Sequence, residues 1–250
     1  MWARLESVGL TTIESCGDSP RPFLGSPVAG IAKDELIDGS SALAEIKRRS
    51  LGNPAYANLP RKFKTALTGH PSHDVAPEVN DVSFVGTVHP ELGAGFDLWV
   101  GGGLSTNPML AHRLGVWIPL EEVADVWEGV VSIFRDYGYR RLRNKARLKF
   151  LVNDWGTERF RHVLETEYLN RTLVDCPSPA APMVQGDHIG AYEQRDGRWY
   201  VGLAPVVGRV NGQILIDLAD LIEEYDATGI RYTLSLHDAL PISEERRVGK

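Results

Sequence analysis

The sequence predicts an α+β fold in which mixed or antiparallel sheets are flanked by helices. Three observations carry this expectation. Val82 to Val88 and Phe96 to Val100 are rich in β-branched and aromatic residues, as core strands are. From about Leu120 to Tyr137, the residues Val123, Val126, Trp127, Val130 and Phe134 recur at helical spacing and form one apolar stripe. Beyond a proline-rich stretch, a hairpin-like strand pair around Asp196-Gly197 precedes a further apolar-periodic helix from about Gly212 to Tyr225.

Composition bounds the function. The chain has 250 residues, 43% of them hydrophobic and 24% charged, which are ordinary globular values. A net charge of -6 speaks against a general nucleic-acid binder. The two cysteines, Cys16 and Cys176, are too few for a disulfide framework and suit a reducing cytosol. No run approaches the roughly 18 apolar residues of a membrane span, and the N-terminus has no signal-peptide core. A soluble, cytoplasmic protein with no membrane and no nucleic-acid partner is expected.

Taken in order, Met1 to Val8 look like the end of a helix, with Trp2, Leu5 and Val8 as its stripe. The turn formers from Cys16 to Pro22 hold Arg21 where a rigid backbone points it. Ser40 is expected to cap a helix through Ser50, with Leu43 and Ile46 inward and Lys47, Arg48 and Arg49 suited to its C-terminal dipole. A polar loop then carries His70, His73 and His89, whose spacing fits no zinc pattern, so no metal site is assigned to them. Thr157 is a plausible cap for a helix to Tyr168. The helix from Gly212 is expected to pack through Ile214, Leu215, Leu218, Leu221 and Ile222, with a short strand starting at Gly229.

Three stretches bear on chemistry. Read as a strand, Asn58 to Thr65 puts Lys62 and Lys64 on one face and Arg61, Phe63 and Thr65 on the other. Like charges two residues apart sit roughly 7 Å apart. They suit either a solvated edge strand or a site with an anion between them. Gly101, Gly102 and Gly103 follow a strand and allow close backbone approach, to a ligand or within a tight turn. From Tyr139 to Phe150 the chain carries six cations and no acid, including Arg147 and Lys149. Continued as a helix, this stretch puts Leu142, Ala146, Lys149 and Phe150 on one side. It is consistent with a solvated face, a polycarboxylate pocket, or a polyanion- or RNA-binding module.

These segments together resemble the ferredoxin-dependent sulfite/nitrite reductases of the sirohaem and iron–sulfur family. The resemblance rests on Cys16-Gly17-Asp18-Ser19-Pro20-Arg21, Asn58-Leu59-Pro60-Arg61-Lys62-Phe63-Lys64 and Glu78-Val79-Asn80-Asp81-Val82. It continues through Gly101-Gly102-Gly103-Leu104-Ser105 and Tyr137-Gly138-Tyr139-Arg140-Arg141, in the family's order and spacing. It implies a partial sirohaem- and substrate-binding domain over 1–170, a proline-rich linker over 171–186, and the start of a second ferredoxin-like half domain over 187–233. Residues 234–250 resemble translated sequencing-adapter read-through, and are expected to pack on nothing.

The resemblance implies that Arg21, Lys62 and Lys64 bind sulfite or nitrite during a six-electron reduction. Arg147 and Lys149 would meet the sirohaem carboxylates, with Asn80 and Gly101 to Gly103 as cofactor neighbours. It further implies ferredoxin as electron donor and a monomer. Cations around a small oxyanion stabilise the charge that develops on it, and lysines crowded in a desolvated pocket serve as general acids. The family's 4Fe–4S cluster needs four cysteine thiolates, so a chain with two is expected to be an inactive fragment on its own.

Overall fold

The computed structural model describes residues 2–105, 107–182, 186–227 and 229. Its elements are α1 (Trp2–Glu6), β1 (Pro20–Gly25), α2 (Ser40–Ser50), β2 (Phe63–Thr68), β3 (Val82–His89), β4 (Gly93–Val100) and β5 (His112–Ile118). There follow α3 (Val123–Tyr137), α4 (Leu148–Val163), β6 (Val174–Asp175), β7 (Gly190–Glu193), β8 (Trp199–Gly202) and α5 (Gly212–Glu224). Strands β1 to β6 form one sheet in sequence order, and β7 and β8 form a separate hairpin. The pairs β1–β2 and β2–β3 are parallel, whereas β3–β4, β4–β5 and β5–β6 are antiparallel. The expected α+β class with a mixed sheet holds.

Strand alternation separates two chemistries. One face of the large sheet carries Phe63, Leu67, Val82, Phe84, Phe96, Leu98, Val116 and Ile118 into a single core with the stripe of α3. Trp127 is its centre: its ring meets those of Tyr56 at 5.6 Å and Phe63 at 6.1 Å, and its indole N–H donates to Thr65 Oγ1 at 2.8 Å. The other face is buried but polar, with Thr68, Ser83, Thr87 and Asp97 all buried. There Asp97 pairs with Arg113, which also donates to Ser178 Oγ at 2.6 Å and to the carbonyl of Pro177 at 3.1 Å. The extended stretch after Cys176 is thereby held against the sheet.

Several local expectations change. The helix at 40–50 has the expected bounds, but Gly39 is its N-cap and Asp38 Oδ1 accepts from the Ser40 amide at 2.9 Å. Arg48 and Arg49 both reach Glu45 at 2.6 Å, and Arg49 reaches Asp125 of α3 at 2.5 Å, so their charge is used locally. The basic stretch is not one helix. Arg143–Lys145 is a single 3₁₀ turn, and α4 starts at Leu148 with extended Arg147 at its N-cap. Clustered like charges disfavour a continuous helix, and Arg143 and Arg147 are drawn to different carboxylates, Asp18 and Asp81. The helix expected from Thr157 is the second half of α4, which breaks at Gly156 (φ 74, ψ 166).

The hairpin docks onto the loop before α2: Arg195 donates to the carbonyls of Ala32 at 2.7 Å and Glu35 at 2.8 Å. The expected packing of α5 is not found, because none of its residues is buried and Ile214, Leu215 and Leu221 stay 41%, 41% and 48% exposed. Helical periodicity identifies the side a helix would bury; it does not supply the surface that covers it. The strand expected from Gly229 and the tail at 234–250 lie outside the described residues.

Candidate anion and cofactor site

A cavity of about 340 Å³ opens where the basic stretch meets the loop after β4. Four cations line it, Arg61, Arg143, Arg147 and Lys149, with Ser105, Asn144 and Phe150 completing the wall. Arg147 and Lys149 are the two that the sequence singles out. Arg61 and Arg143 were not singled out, and nothing local distinguishes them from their basic neighbours: Arg143 is selected by Asp18, which lies 125 residues away in sequence and grips it at 2.7 and 3.1 Å.

Arg21, Lys62 and Lys64 are not walls of this cavity, yet their backbones are tied to it. The turn carrying Arg21 also carries Asp18, the partner of Arg143. Arg21 is half-buried, with its Nε donating to the Gly17 carbonyl at 2.8 Å. Pro20 pairs with Phe63, and the Phe63 amide donates to the Ser19 carbonyl at 3.1 Å, so the turn lies beside the start of β2. Lys62 stands one residue before that strand and Lys64 within it, both half-buried. The Lys64 amide donates to Asp81 Oδ2 at 2.8 Å, and Asp81 grips Arg147.

The triple glycine is used inside the protein. The amides of Gly101, Gly102 and Gly103 donate to the carbonyls of Asp81, Asn80 and Met109 at 2.8–2.9 Å. A Cβ on Gly102 would lie 2.2 Å from the Glu78 carbonyl oxygen and 2.7 Å from that of Asn80. Gly102→Ala is therefore expected to cost about 1–3 kcal/mol through overpacking against backbone, read as a lowered urea midpoint of the chain. Lys149 is buried and donates to the carbonyls of Gly103 (3.2 Å), Leu104 (2.7 Å) and Asn107 (2.6 Å), which fixes the loop over the cavity. Asn80 is buried too. Its amide donates to the Ala76 carbonyl at 2.9 Å, while its Oδ1 has no partner among the described residues.

The three histidines read as loop residues have separate fates. His89 ends β3, and its Nδ1 accepts from the Glu91 and Leu92 amides at 3.2 Å. His73 is buried, and burial pushes its pKa down. His70 comes together with Asp74 and His188, their donor atoms lying within 4.8 Å of one another. Hydrogen bonds occupy this group. The Ser72 amide donates to His70 Nδ1 at 3.2 Å, which places the ring proton on Nε2, 3.1 Å from Asp34 Oδ1. His188 Nε2 lies 2.9 Å from Asp74 Oδ2. Burial pushes the Asp74 pKa up, but bonds from His188, Thr68 and Ser26 outweigh it and hold the carboxyl below its usual range.

Of the two cysteines, Cys16 is exposed and Cys176 is buried with its Sγ 3.9 Å from Thr87 Oγ1. They do not furnish four thiolates for a cluster.

Fold and cavity together give a mixed sheet with a cation-lined cavity at the loop after β4, a lining that suits an anionic group. The chain belongs to the nitrite and sulphite reductase family. The model described as "Nitrite and sulphite reductase 4Fe-4S domain" matches residues 16–173. The "Nitrite/Sulfite reductase ferredoxin-like half domain" matches residues 192–235, which places the β7–β8 hairpin and α5. The solved structure of the Mycobacterium tuberculosis NirA protein is similar at a TM-score of 0.88 and 56% identity, over 93% of this chain and 42% of that one. Sulfite reductase (ferredoxin) 1 of Mycolicibacterium paratuberculosis is 60% identical over 93% of this chain and 42% of its own length. The assimilatory ferredoxin-dependent nitrite reductase of Haloferax mediterranei is 37% identical with the same coverage. The chain thus spans less than half the length of these relatives. Among the described residues, no helix is long and apolar enough to cross a membrane.

Proposed function

We propose that this chain is the anion- and cofactor-facing part of a longer assimilatory reductase that takes sulfite, with electrons from ferredoxin. One observation carries the reading: four cations line one cavity, and carboxylates tie the Arg21 turn and the Lys64 strand to two of them. The fit to sirohaem rests on that cation set, which suits a polycarboxylate, and on the buried, unpartnered Oδ1 of Asn80. Arg61, Arg143 and Arg147 would hold its carboxylates, while Lys149 and the three glycines shape the loop above them. When bound, sirohaem supplies the redox-active iron for the reduction. Arg21, Lys62 and Lys64 bind and orient the oxyanion, and the lysines offer protons to its oxygens. Identity of 60% to a sulfite reductase against 37% to a nitrite reductase favours sulfite over nitrite. The 4Fe–4S cluster is left to the part of the relatives that this chain does not span.

The test is the reductase extended to the length of its relatives, made with sirohaem and assayed with reduced ferredoxin on both anions. The expected result is sirohaem absorption and a higher kcat/KM for sulfite. Absence of sirohaem from a folded, full-length protein overturns the reading. A polyanion-binding module would instead bind RNA with a steep salt dependence.

A further inference from the structure

We infer that Asp81 is a positioning residue that fixes the substrate-lysine strand and the cofactor-facing arginine to one another. The inference rests on the function proposed above. Asp81 is fully buried just before β3, and its carboxylate meets two elements far apart in sequence. Oδ2 accepts from the Lys64 amide at 2.8 Å and from Arg147 Nη2 at 3.0 Å. Oδ1 accepts from Arg147 Nε and Nη2, both at 3.2 Å. Its main-chain carbonyl accepts from Gly101 at 2.8 Å, adding the loop after β4 to the same point. One residue thus sets the register of Lys64 and the orientation of the Arg147 guanidinium through its side chain, and the start of the glycine loop through its main chain.

Electrostatics makes a purely structural use a poor explanation. A buried ion pair loses about as much in desolvation as it gains in attraction, and apolar residues of similar volume often stabilise as well. What the pair adds is geometry. Its carboxylate engages the Nε and Nη2 edge of Arg147, so the guanidinium plane has one orientation beside the cavity that it lines. The same oxygen that completes this grip holds the backbone from which Lys64 projects. A shift at either partner is therefore felt at the other.

The experiment uses the full-length reductase loaded with sirohaem. Asp81→Asn keeps an oxygen for the Lys64 amide but removes the charge and one of the two acceptors that Arg147 uses. The expected result is about a 10–100-fold fall in sulfite kcat/KM, carried mainly by KM, with weaker retention of sirohaem on gel filtration. Arg147→Gln should show the same direction. The double variant should be no worse than Arg147→Gln alone, since both remove one unit; independent roles would give additive losses. An unchanged KM with full sirohaem content, or additive losses, overturns the inference. So does a lowered urea midpoint with KM and sirohaem retention intact, which is what a structural pair alone produces. If Asp81→Asn does not fold, Arg147→Lys keeps the charge but gives up the two-nitrogen grip on the Asp81 carboxylate. Raised KM and weaker retention then support the inference, and unchanged values overturn it. Failure of the parent enzyme to hold sirohaem would strike the proposed function instead, so the two failures are distinguishable.

Discussion

Exchanging Lys62 and Lys64 together for methionine in the full-length reductase is expected to lower sulfite turnover by roughly 10²–10³-fold, the scale of losing a donor to developing charge. Methionine keeps much of the length and removes the charge. Lys62 stands one residue before β2 and Lys64 within it, and on the proposed reading both would meet one anion. Their backbone is well anchored. Phe63 between them is fully buried and stacks on Phe134 at 5.8 Å, while Asp81 holds the Lys64 amide at 2.8 Å. Single replacements should each lose less, because on the proposed reading the remaining lysine would still meet the anion. Since neither side chain is fully buried, the unfolding free energy from urea titration should stay within about 0.5 kcal/mol of the parent. Steady-state kinetics with reduced ferredoxin, normalised to sirohaem absorbance, decides the matter. Full turnover at full cofactor content would remove these lysines from the substrate site.

Trp127→Ala is expected to be the most destabilising single change, at about 3–5 kcal/mol. Trp127 is fully buried on α3 and touches aromatic rings from three other segments: Phe23, Tyr56 and Phe63, at 6.3, 5.6 and 6.1 Å. Truncation leaves a void among groups fixed by two strands and a helix. It also strands the buried Thr65 hydroxyl, which accepts from the indole at 2.8 Å. Trp127→Phe separates the two effects: it keeps much of the packing and loses the hydrogen bond, for about 1–3 kcal/mol. The measurement is the urea midpoint at unchanged m-value. A loss below about 1 kcal/mol for the alanine variant would mean that the core closes around the gap.

These residues also indicate what sequence can carry. The stripe of α3 and the alternation in β2 were legible because burial repeats with the period of the local backbone. That Phe63 and Thr65 turn inward and are fully buried follows from the same rule. The site was legible only as a set of candidates. Which arginine of the basic stretch lines the cavity depends on Asp18 and Asp81, partners 125 and 66 residues distant in the chain. Periodicity has no access to such pairs. The glycine loop shows a different limit: its composition signalled close approach, but the neighbour that comes close is the backbone of Glu78 and Asn80. For α5 the apolar stripe was legible and its burial was not, because burial depends on a second surface.

The strand order of the large sheet has a consequence for how the protein is made. Every strand from β2 to β6 pairs with the strand that precedes it in sequence. On a ribosome, each newly emerged strand finds its template already synthesised, and none must wait to be inserted between earlier neighbours. Pairings of short sequence separation form fastest, and domains grow from the N-terminal side during translation. The β3–β4 hairpin gives this growth a local seed, with eight register pairs from Val82↔Val100 to His89↔Gly93. The sheet can thus extend one edge at a time as translation proceeds, keeping the interval during which each new edge stands unpaired short.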